Sequence, residues 1–422
     1  MLESNNNTFS RERLAGYDPD QINNSTVLIV GAGALGQNTA LDLALSGIGE
    51  MRIVDADRFE EHNRTRSPAF PLPEEQGTYG LNKAEVVSRK LRRLMTAPKP
   101  VMRFANKWIQ ELGDGAFEGV SAVVSAVDSR MARAYLSDKA RQHGLAFIEG
   151  GFEREYLRLT SFPAPADGDE LRTLPCWRCL QPSIEGSLSC SSYARNADAA
   201  GIIPAIQNTA AVLGGLQAEA TILAIQPELR EERAAKYFSL NIRTWQSQTI
   251  KLRTDSGCPG VHQDSKAEPI KLQTTADDTV DQLLNEISQH LGSSARLWLP
   301  LRTSSKLFWT APCRNRSCGR LVSIKSPEWR WRMHSRCSIC GGPFEVVSDV
   351  ANGSTYTTSE ISLLSKPEVL AATGRQIGLA PLTLVGAAGE DATTAHFENT
   401  PPPAVFQLPG SLNDLFESGE AT

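Results

Sequence analysis

Over its first third the chain alternates short unbroken apolar runs with longer stretches of helical periodicity. Val27-Leu28-Ile29-Val30 has no polar interruption and reads as a strand buried on both faces. Strands are predicted at 27–30, 51–54, 121–127 and 146–149, and helices at 34–46, 83–94 and 129–143. In the second helix Val87, Leu91 and Leu94 recur at spacings of four and three, which gives one apolar face. Strictly alternating strands and helices imply a mainly parallel, doubly wound sheet with helices on both faces. Before this region, residues 1–25 read as a polar arm with one short amphipathic piece. After 151 the pattern changes to short strands, Cys-rich loops and one long helix starting near Pro204, where a first-turn proline costs no hydrogen bond. Leu213-Gly214-Gly215-Leu216 in that helix supplies small residues for close packing.

Past about 265 the composition shifts again. Asp278 to Leu291 reads as one amphipathic helix, and a compact Cys-rich module follows at 308–346. From 389 to 422, Pro401-Pro402-Pro403 and many small polar residues predict a disordered tail. The expected division is therefore an arm (1–25), a main domain (26–265), a C-terminal region (266–388) and the tail. No internal repeat is visible.

The first strand runs into Gly31-Ala32-Gly33-Ala34-Leu35-Gly36, and the acidic stretch Val54-Asp55-Ala56-Asp57 comes about 20 residues later, where a Rossmann-like unit needs a ribose ligand. Gly31 permits a tight turn. Gly33 carries no Cβ to block backbone approach to a phosphate, and Gly36 lets the helix pack on the strand. The helix N-terminus then offers free N–H groups to anionic oxygens. Together these features predict a nucleotide site, without saying which nucleotide.

Composition narrows the class. A length of 422 residues allows two or three domains, and 41% hydrophobic with 22% charged residues is ordinary for a globular protein. The net charge of -5 argues against a whole-protein nucleic-acid binder. The first residues lack the apolar core of a signal peptide, and no apolar run is long enough to span a membrane, so a cytoplasmic location is expected. In such a chain, eight cysteines read as metal ligands or reactive thiols.

Four features around the glycine loop bear on the chemistry. Asn63, Arg64 and Arg66 follow the second strand, and Lys83 opens a helix. Asp128 ends the run Ala122 to Val127, and Arg133 lies one turn into the next helix. Asp55 and Asp128 both fall at carboxyl ends of strands, where ligands of doubly wound folds sit. Hydride transfer needs neither a second acid nor clustered cations. Breaking an α–β phosphate bond needs both, because cations offset phosphate charge and an acid holds Mg²⁺.

From Phe9 to about 265 the chain resembles the ThiF/MoeB adenylyltransferases, bacterial relatives of ubiquitin-activating enzymes. The resemblance rests on Phe9 to Glu12 (FSRE), GAGALG, Val54 to Arg66 (VDADRFEEHNRTR), Gly80 to Lys83 (GLNK), Ser125 to Ser129 (SAVDS), Cys176 to Cys179 (CWRC) and Ser187 to Cys190 (SLSC). It implies ribose binding by Asp55 within the Asp55–Asp57 acidic stretch, triphosphate binding by Asn63, Arg66 and Lys83, and Mg²⁺ positioning by Asp128. It implies a homodimer in which Arg11 reaches the partner subunit's site. It implies adenylation of the C-terminal carboxylate of a small β-grasp, ubiquitin-like protein by ATP, followed by thioester formation on Cys190. The loop around Cys190 is small and polar, which suits an exposed thiol; a lone cysteine is also often a small buried hydrophobe.

Two metal sites are expected, one zinc in each. Cys176 and Cys179 supply half of the first, and the resemblance implies a second Cys pair near 258. There Val261 stands where the fourth cysteine would be, so Cys258 and His262 either complete a Cys3His set or leave the site degenerate. The second set is Cys313 and Cys318 with Cys337 and Cys340, a zinc-ribbon pattern in which the ion substitutes for a core. Between the pairs lies Trp329-Arg330-Trp331-Arg332, with Arg314, Arg316, Arg320, Lys325 and Arg336 nearby. This can simply cover the ribbon, dock an acidic partner or, least favoured, bind nucleic acid.

The leading functional expectation is an activating enzyme for a ubiquitin-like protein in a conjugation pathway, antiviral among the options, with a conjugating enzyme recruited by the C-terminal region. Adenylation of a sulfur carrier, a peptide or a small-molecule carboxylate is the alternative. A nicotinamide- or flavin-dependent oxidoreductase stands third.

Overall fold

The computed structural model describes residues 8–69, 80–153, 155–166, 168–181, 206–229, 234–258, 260, 262, 268–294, 296–298, 307–313, 315, 317–327, 330, 337, 339–341, 357–358, 360–389 and 404–419. They fall into two compact units. The first comprises Met1–Ile109, Ala116–His262 and Leu415–Thr422; the second comprises Gln110–Gly115 and Gln263–Asp414. Among the described residues no helix is long and apolar enough to cross a membrane.

In the first unit the expected arm folds as two short helices, α1 (Ser10–Leu14) and α2 (Pro19–Asn23). Asp18 caps α2 by accepting from the backbone N–H of Asp20 at 2.9 Å, and Phe9 and Ile22 are buried. The chain then alternates β1 (Thr26–Val30), α3 (Ala34–Leu45), β2 (Glu50–Val54), α4 (Lys83–Arg92), β3 (Val101–Ala105), β4 (Ala122–Ser125), α5 (Arg130–Gln142) and β5 (Ala146–Glu153). β6 (Tyr156–Phe162), the short helix α6 (Trp177–Leu180), the long α7 (Gln207–Ile225), β7 (Lys236–Asn241) and β8 (Ser247–Lys251) complete it.

The sheet runs in the order β3-β2-β1-β4-β5-β6-β7-β8, parallel as far as β5 and antiparallel beyond. This is the doubly wound, Rossmann-like fold that the alternation predicts. Val30 pairs with both Val54 and Ser125, so β2, β1 and β4 end level with one another. A strand at 101–105 was not among the expected elements. The short helix α4 ends at Arg92, and Leu94 lies beyond it, 44% exposed, so the apolar face rests on Val87 and Leu91 alone. α7 packs on α3 where Gly214 meets Asn38 and Thr39. Residues around Pro204, where this helix was expected to start, lie outside the described residues.

The second unit begins with β9 (Ile270–Lys271), α8 (Val280–Leu291), β10 (Arg296–Trp298), the hairpin β11 (Leu307–Pro312) and β12 (Leu321–Pro327), and β13 (Thr357–Thr358). β14 (Glu360–Ser362), α9 (Pro367–Leu370), β15 (Leu384–Ala388), β16 (Ala404–Gln407) and α10 (Leu412–Leu415) follow. Five strands form one sheet in the order β14-β10-β15-β16-β9, and β12-β11-β13 form another. Thr279 and Gln282 cap α8 reciprocally, and Gly292, at φ 67°, ends it. Val280, Leu283, Leu284 and Ile287 on α8 join Ile361, Val385, Ala387 and Phe406 in one core.

The expected tail needs correction. Residues 404–407 pair with β15, and Glu417–Ser418 pair with β3 in the first unit's sheet. Val405, Phe406, Leu408, Leu415 and Phe416 are buried, and that apolar content outweighs the polar composition around it. Pro401 to Pro403 lie outside the described residues.

The packing of α7 on α3 separates two adjacent glycines. A Cβ on Gly214 would lie 2.6 Å from the Asn38 Cβ and 3.1 Å from the Thr39 backbone nitrogen, whereas one on Gly215 meets only the Asp42 carboxylate at 3.6 Å. Gly214→Ala should therefore destabilise by about 1–3 kcal/mol through overpacking. Gly215→Ala should stabilise by about 0.5–1 kcal/mol through helix propensity. Thermal unfolding of the two variants checks this; equal shifts of the same sign would contradict the packing.

Candidate nucleotide crevice and metal clusters

β1 ends at Val30, and the chain turns at Gly31 with φ 97°, a conformation that residues with a Cβ avoid. A Cβ there would lie 2.6 Å from the Ala126 carbonyl oxygen. A Cβ on Gly36 would lie 1.8 Å from the Gly31 carbonyl oxygen. The turns after β1 and β4 thus touch backbone to backbone, with α3 closed against them. Gly33 has an ordinary φ of -77° and no atom within 4 Å of its Cβ position. Its neighbourhood, at the N-terminus of α3, is open to an anion.

On the β2 side, Asp55 accepts from the Ala32 N–H at 2.6 Å and from the Asp57 N–H at 2.7 Å. Enclosure by these loops pushes the Asp55 carboxyl up to about 6, with Asp57 adding to the rise and Lys83 and the two N–H groups opposing it. Lys83 is the first residue of α4. Its N–H donates to the Asp57 carbonyl at 2.9 Å, and its Nζ lies 2.9 Å from Asp57 Oδ2. Asp55, Asp57 and Lys83 therefore form one linked set beside the glycine loop. Asn63 is buried and turned inward, its Oδ1 capping Glu60 N–H at 3.0 Å in the 3₁₀ turn Glu61–Arg66. Arg66 ends that turn half-buried, with no ion pair among the described residues. Arg64 is exposed and pairs with Glu61.

On the β4 side, Asp128 is exposed just past the strand, and Ser129 caps α5. Arg133, one turn into α5, directs its guanidinium to the Val127 carbonyl and to Glu149. Arg11 is exposed on α1. Cys190 and its loop lie outside the described residues.

Two buried amides that the sequence did not point to fix the crevice. Gln37 donates to the Ala32 carbonyl at 2.8 Å and accepts from the Ala69 N–H at 3.0 Å, tying the glycine loop to the segment after Arg66. Gln217 of α7 donates to the Ser125 carbonyl at 2.9 Å and accepts from Thr39 Oγ1 at 2.9 Å. Gln37 joins Ala32, five residues back, to Ala69, and both Gln217 partners lie far away in the chain, so no local pattern marks either residue.

Elsewhere in the first unit Cys176, Cys179, Cys258 and His262 come together. The Cys176 sulfur lies 3.8 Å from that of Cys179 and 3.6 Å from that of Cys258; His262 Nε2 lies 3.5 Å from Cys176 Sγ and 3.6 Å from Cys179 Sγ. Edges of this length fit an ion about 2.3 Å from each sulfur and about 2.0 Å from the nitrogen, as in tetrahedral Cys3His zinc. The Cys179 sulfur and then that of Cys258 push the His262 imidazole up to about 9. His262 Nδ1 lies 3.4 Å from the Leu171 carbonyl, a second partner that orients the ring. Gly260 permits the turn, since a Cβ there would lie 2.8 Å from the Cys176 sulfur.

In the second unit Cys313, Cys318, Cys337 and Cys340 also cluster, with 3.5 Å between the sulfurs of Cys313 and Cys340 and 4.0 Å between those of Cys318 and Cys337. Cys318 N–H and Gly319 N–H both donate to the Asn315 carbonyl, and Gly341 N–H donates to that of Cys337. Gly319 and Gly341 have φ of 51° and 68°, so each Cys pair sits on a tight knuckle. Four thiol ligands and a tetrahedral spacing suit zinc. Arg330 of the intervening segment pairs with Glu111 at 3.7 Å and donates to the Arg375 carbonyl, which are structural contacts. Trp329, Trp331, Arg332, Arg314, Arg316 and Arg336 lie outside the described residues.

Comparison with known proteins adds the following. A model of the ThiF family matches residues 9–260. The chain is 28% identical over 216 residues to the "Adenylyltransferase and sulfurtransferase uba4" of Aspergillus terreus, covering 50% of this chain and 42% of that protein. It is 31% identical over 194 residues to the protein of the same name from Aspergillus fumigatus, covering 46% and 37%. It is 27% identical over 187 residues to "Adenylyltransferase and sulfurtransferase MOCS3" of Dictyostelium discoideum, covering 44% and 41%. Each match spans less than half of the relative's own length. Among solved structures, E. coli MccB with ATP aligns at a TM-score of 0.46 and 19% identity, covering 61% of this chain and 74% of that one.

Metal analysis of the purified chain should give two zinc per polypeptide. His262→Ala should lose one of them, with the ribbon's zinc retained; two zinc in that variant would remove His262 from the ligand set.

Proposed function

This chain belongs to the ThiF family, and from that premise we propose that it adenylates the terminal carboxylate of a small carrier protein, in a sulfur-carrier type of reaction. The observation that carries this reading is that β2 and β4 end level on either side of the strand that leads into the glycine loop, with Asp55 directly after β2 and Asp128 three residues after β4. Two acids and a lysine around one anion-binding turn suit a nucleotide triphosphate better than a dinucleotide.

In this reading the α-phosphate lies over Gly33, where no Cβ intervenes. Asp55, and with it Asp57, faces the ribose hydroxyls. Lys83 exchanges the Asp57 carboxylate for phosphate oxygens, joined by Arg66 and Asn63. Asp128 would hold Mg²⁺, which when bound offsets charge on the phosphate oxygens. The carrier's carboxylate attacks the α-phosphorus, the bond to the β-phosphate oxygen breaks, and pyrophosphate leaves with the electron pair. Holding both reactants in one crevice removes much of the entropic barrier. Arg11, exposed on α1, would serve the crevice of a second copy in a homodimer. The two cysteine clusters hold zinc as structural ions.

The relatives' names favour the sulfur-carrier form over a conjugation pathway. A peptide carboxylate is the nearest variant of the same chemistry. Conjugation through a thioester on Cys190, with an antiviral role and a conjugating partner, is a separate form that one experiment distinguishes. ATP–pyrophosphate exchange should require an added small protein with a free C-terminal carboxylate. Asp128→Ala should lower it on the order of 100-fold or more, as loss of an electrostatic transition-state contact does. Tight binding of NAD with none of ATP would overturn the reading. A thiol-sensitive protein adduct that disappears in Cys190→Ala would select the conjugation form.

Asp55 makes nucleotide binding pH-dependent. Its ionised form accepts from ribose hydroxyls, and binding therefore draws its proton off. With the free group at about 6, affinity should be full above pH 7 and fall by about tenfold per unit well below 6. Titration with a fluorescent ATP analogue from pH 5 to 8 checks this. Asp55→Asn should flatten the profile.

A further inference from the structure

We infer that Glu149 and Arg133 are positioning residues, a buried ion pair that sets the peptide plane from which the Asp128 side chain departs. The inference rests on the proposed role of Asp128 and adds how that carboxylate is held.

Val127 lies past the last paired residue of β4, so its carbonyl has no strand partner among the described residues. Arg133 supplies one. Its Nε donates to the Val127 oxygen at 3.0 Å and its Nη2 donates to the same oxygen at 2.7 Å. The third nitrogen, Nη1, lies 3.2 Å from Glu149 Oε1. Glu149 is 2% exposed on β5, and its other oxygen accepts from Thr160 Oγ1 at 2.6 Å on β6. Arg158 stands 4.0 Å from Oε1. The guanidinium is thus hydrogen-bonded to the Val127 oxygen on one side and faces the buried carboxylate, as an ion pair, on the other.

The Val127 carbonyl and the Asp128 N–H share one rigid peptide plane. Fixing the oxygen fixes that plane. On the other side, the Ser129 side chain accepts from the Ala132 N–H at 3.4 Å as the cap of α5. Asp128 is therefore held between two pinned neighbours while its own side chain projects to the surface. Burying a carboxylate against arginine is weak evidence of a stabilising role, since apolar replacements are often as stable. A geometric role explains why charge is placed here, directly under an acid at the crevice.

The test uses the full chain with α,β-methylene ATP and Mn²⁺, following free Mn²⁺ by electron paramagnetic resonance and metal-free nucleotide affinity by titration calorimetry. Arg133→Met and Glu149→Gln should weaken Mn²⁺ binding about 10- to 100-fold, as loss of outer-sphere partners does, and leave metal-free nucleotide affinity within about twofold. Arg133→Lys should recover part of the loss. Asp128→Asn is the reference. If it leaves Mn²⁺ binding unchanged, the role of Asp128 fails and the brace has nothing to aim. If it weakens Mn²⁺ binding while Arg133→Met and Glu149→Gln do not, the brace alone is overturned. Equal loss of metal-free nucleotide binding in the brace variants would also overturn it. Glu149→Gln, which keeps the volume, carries the test should Arg133→Met not fold.

Discussion

The turn after β1 and the turn after β4 meet backbone to backbone, and no side chain separates them. Gly31 makes this contact possible against Ala126, and Gly36 allows α3 to close on the same turn. The strands beneath end level, so the contact lies between the chain that leaves β2 at Asp55 and the chain that leaves β4 toward Asp128. A single methyl group at Gly31 would demand both a left-handed backbone and a shift of the β4 turn. The course of both turns and the packing of α3 are thus set by one contact.

Around that contact, buried or half-buried polar side chains donate to backbone carbonyls at and just past the strand ends. Gln37 serves Ala32, Gln217 serves Ser125 and Arg133 serves Val127. Each removes a cost of about 1–3 kcal/mol for an unsatisfied buried group. Each also converts a flexible turn into a fixed one, which is what a site that must place charge within a fraction of an ångström requires.

The core of the first unit was legible because its strands are apolar runs and its helices periodic. Val27 to Val30, the glycine loop and the Ala122 to Ser125 strand stand close to where periodicity put them. Val101 to Ala105 was hidden by Arg103 and by the prolines at 98 and 100, which read as loop. The tail was misread because composition averages over Val405-Phe406 and Leu415-Phe416, four residues whose burial outweighs the surrounding polar ones. The cysteine clusters were legible from spacing, since two cysteines separated by two residues can already bring both sulfurs to one place. His262 was readable as a candidate, but only the turn at Gly260 shows that its ring reaches the sulfurs. The buried amides and the Glu149–Arg133 pair were not legible, because their partners lie elsewhere in the chain.

The pairing of Glu417–Ser418 with β3 has a covalent consequence. The backbone passes from one compact unit to the other at four points, and after the fourth Glu417–Ser418 closes the outer margin of the first unit's sheet. Without those few residues β3 would present a bare row of amide and carbonyl groups, a template for joining sheets of separate molecules. Substitutions at Glu417 or Ser418 therefore act on a guarded seam of the first unit's sheet, far along the chain from the strand they protect.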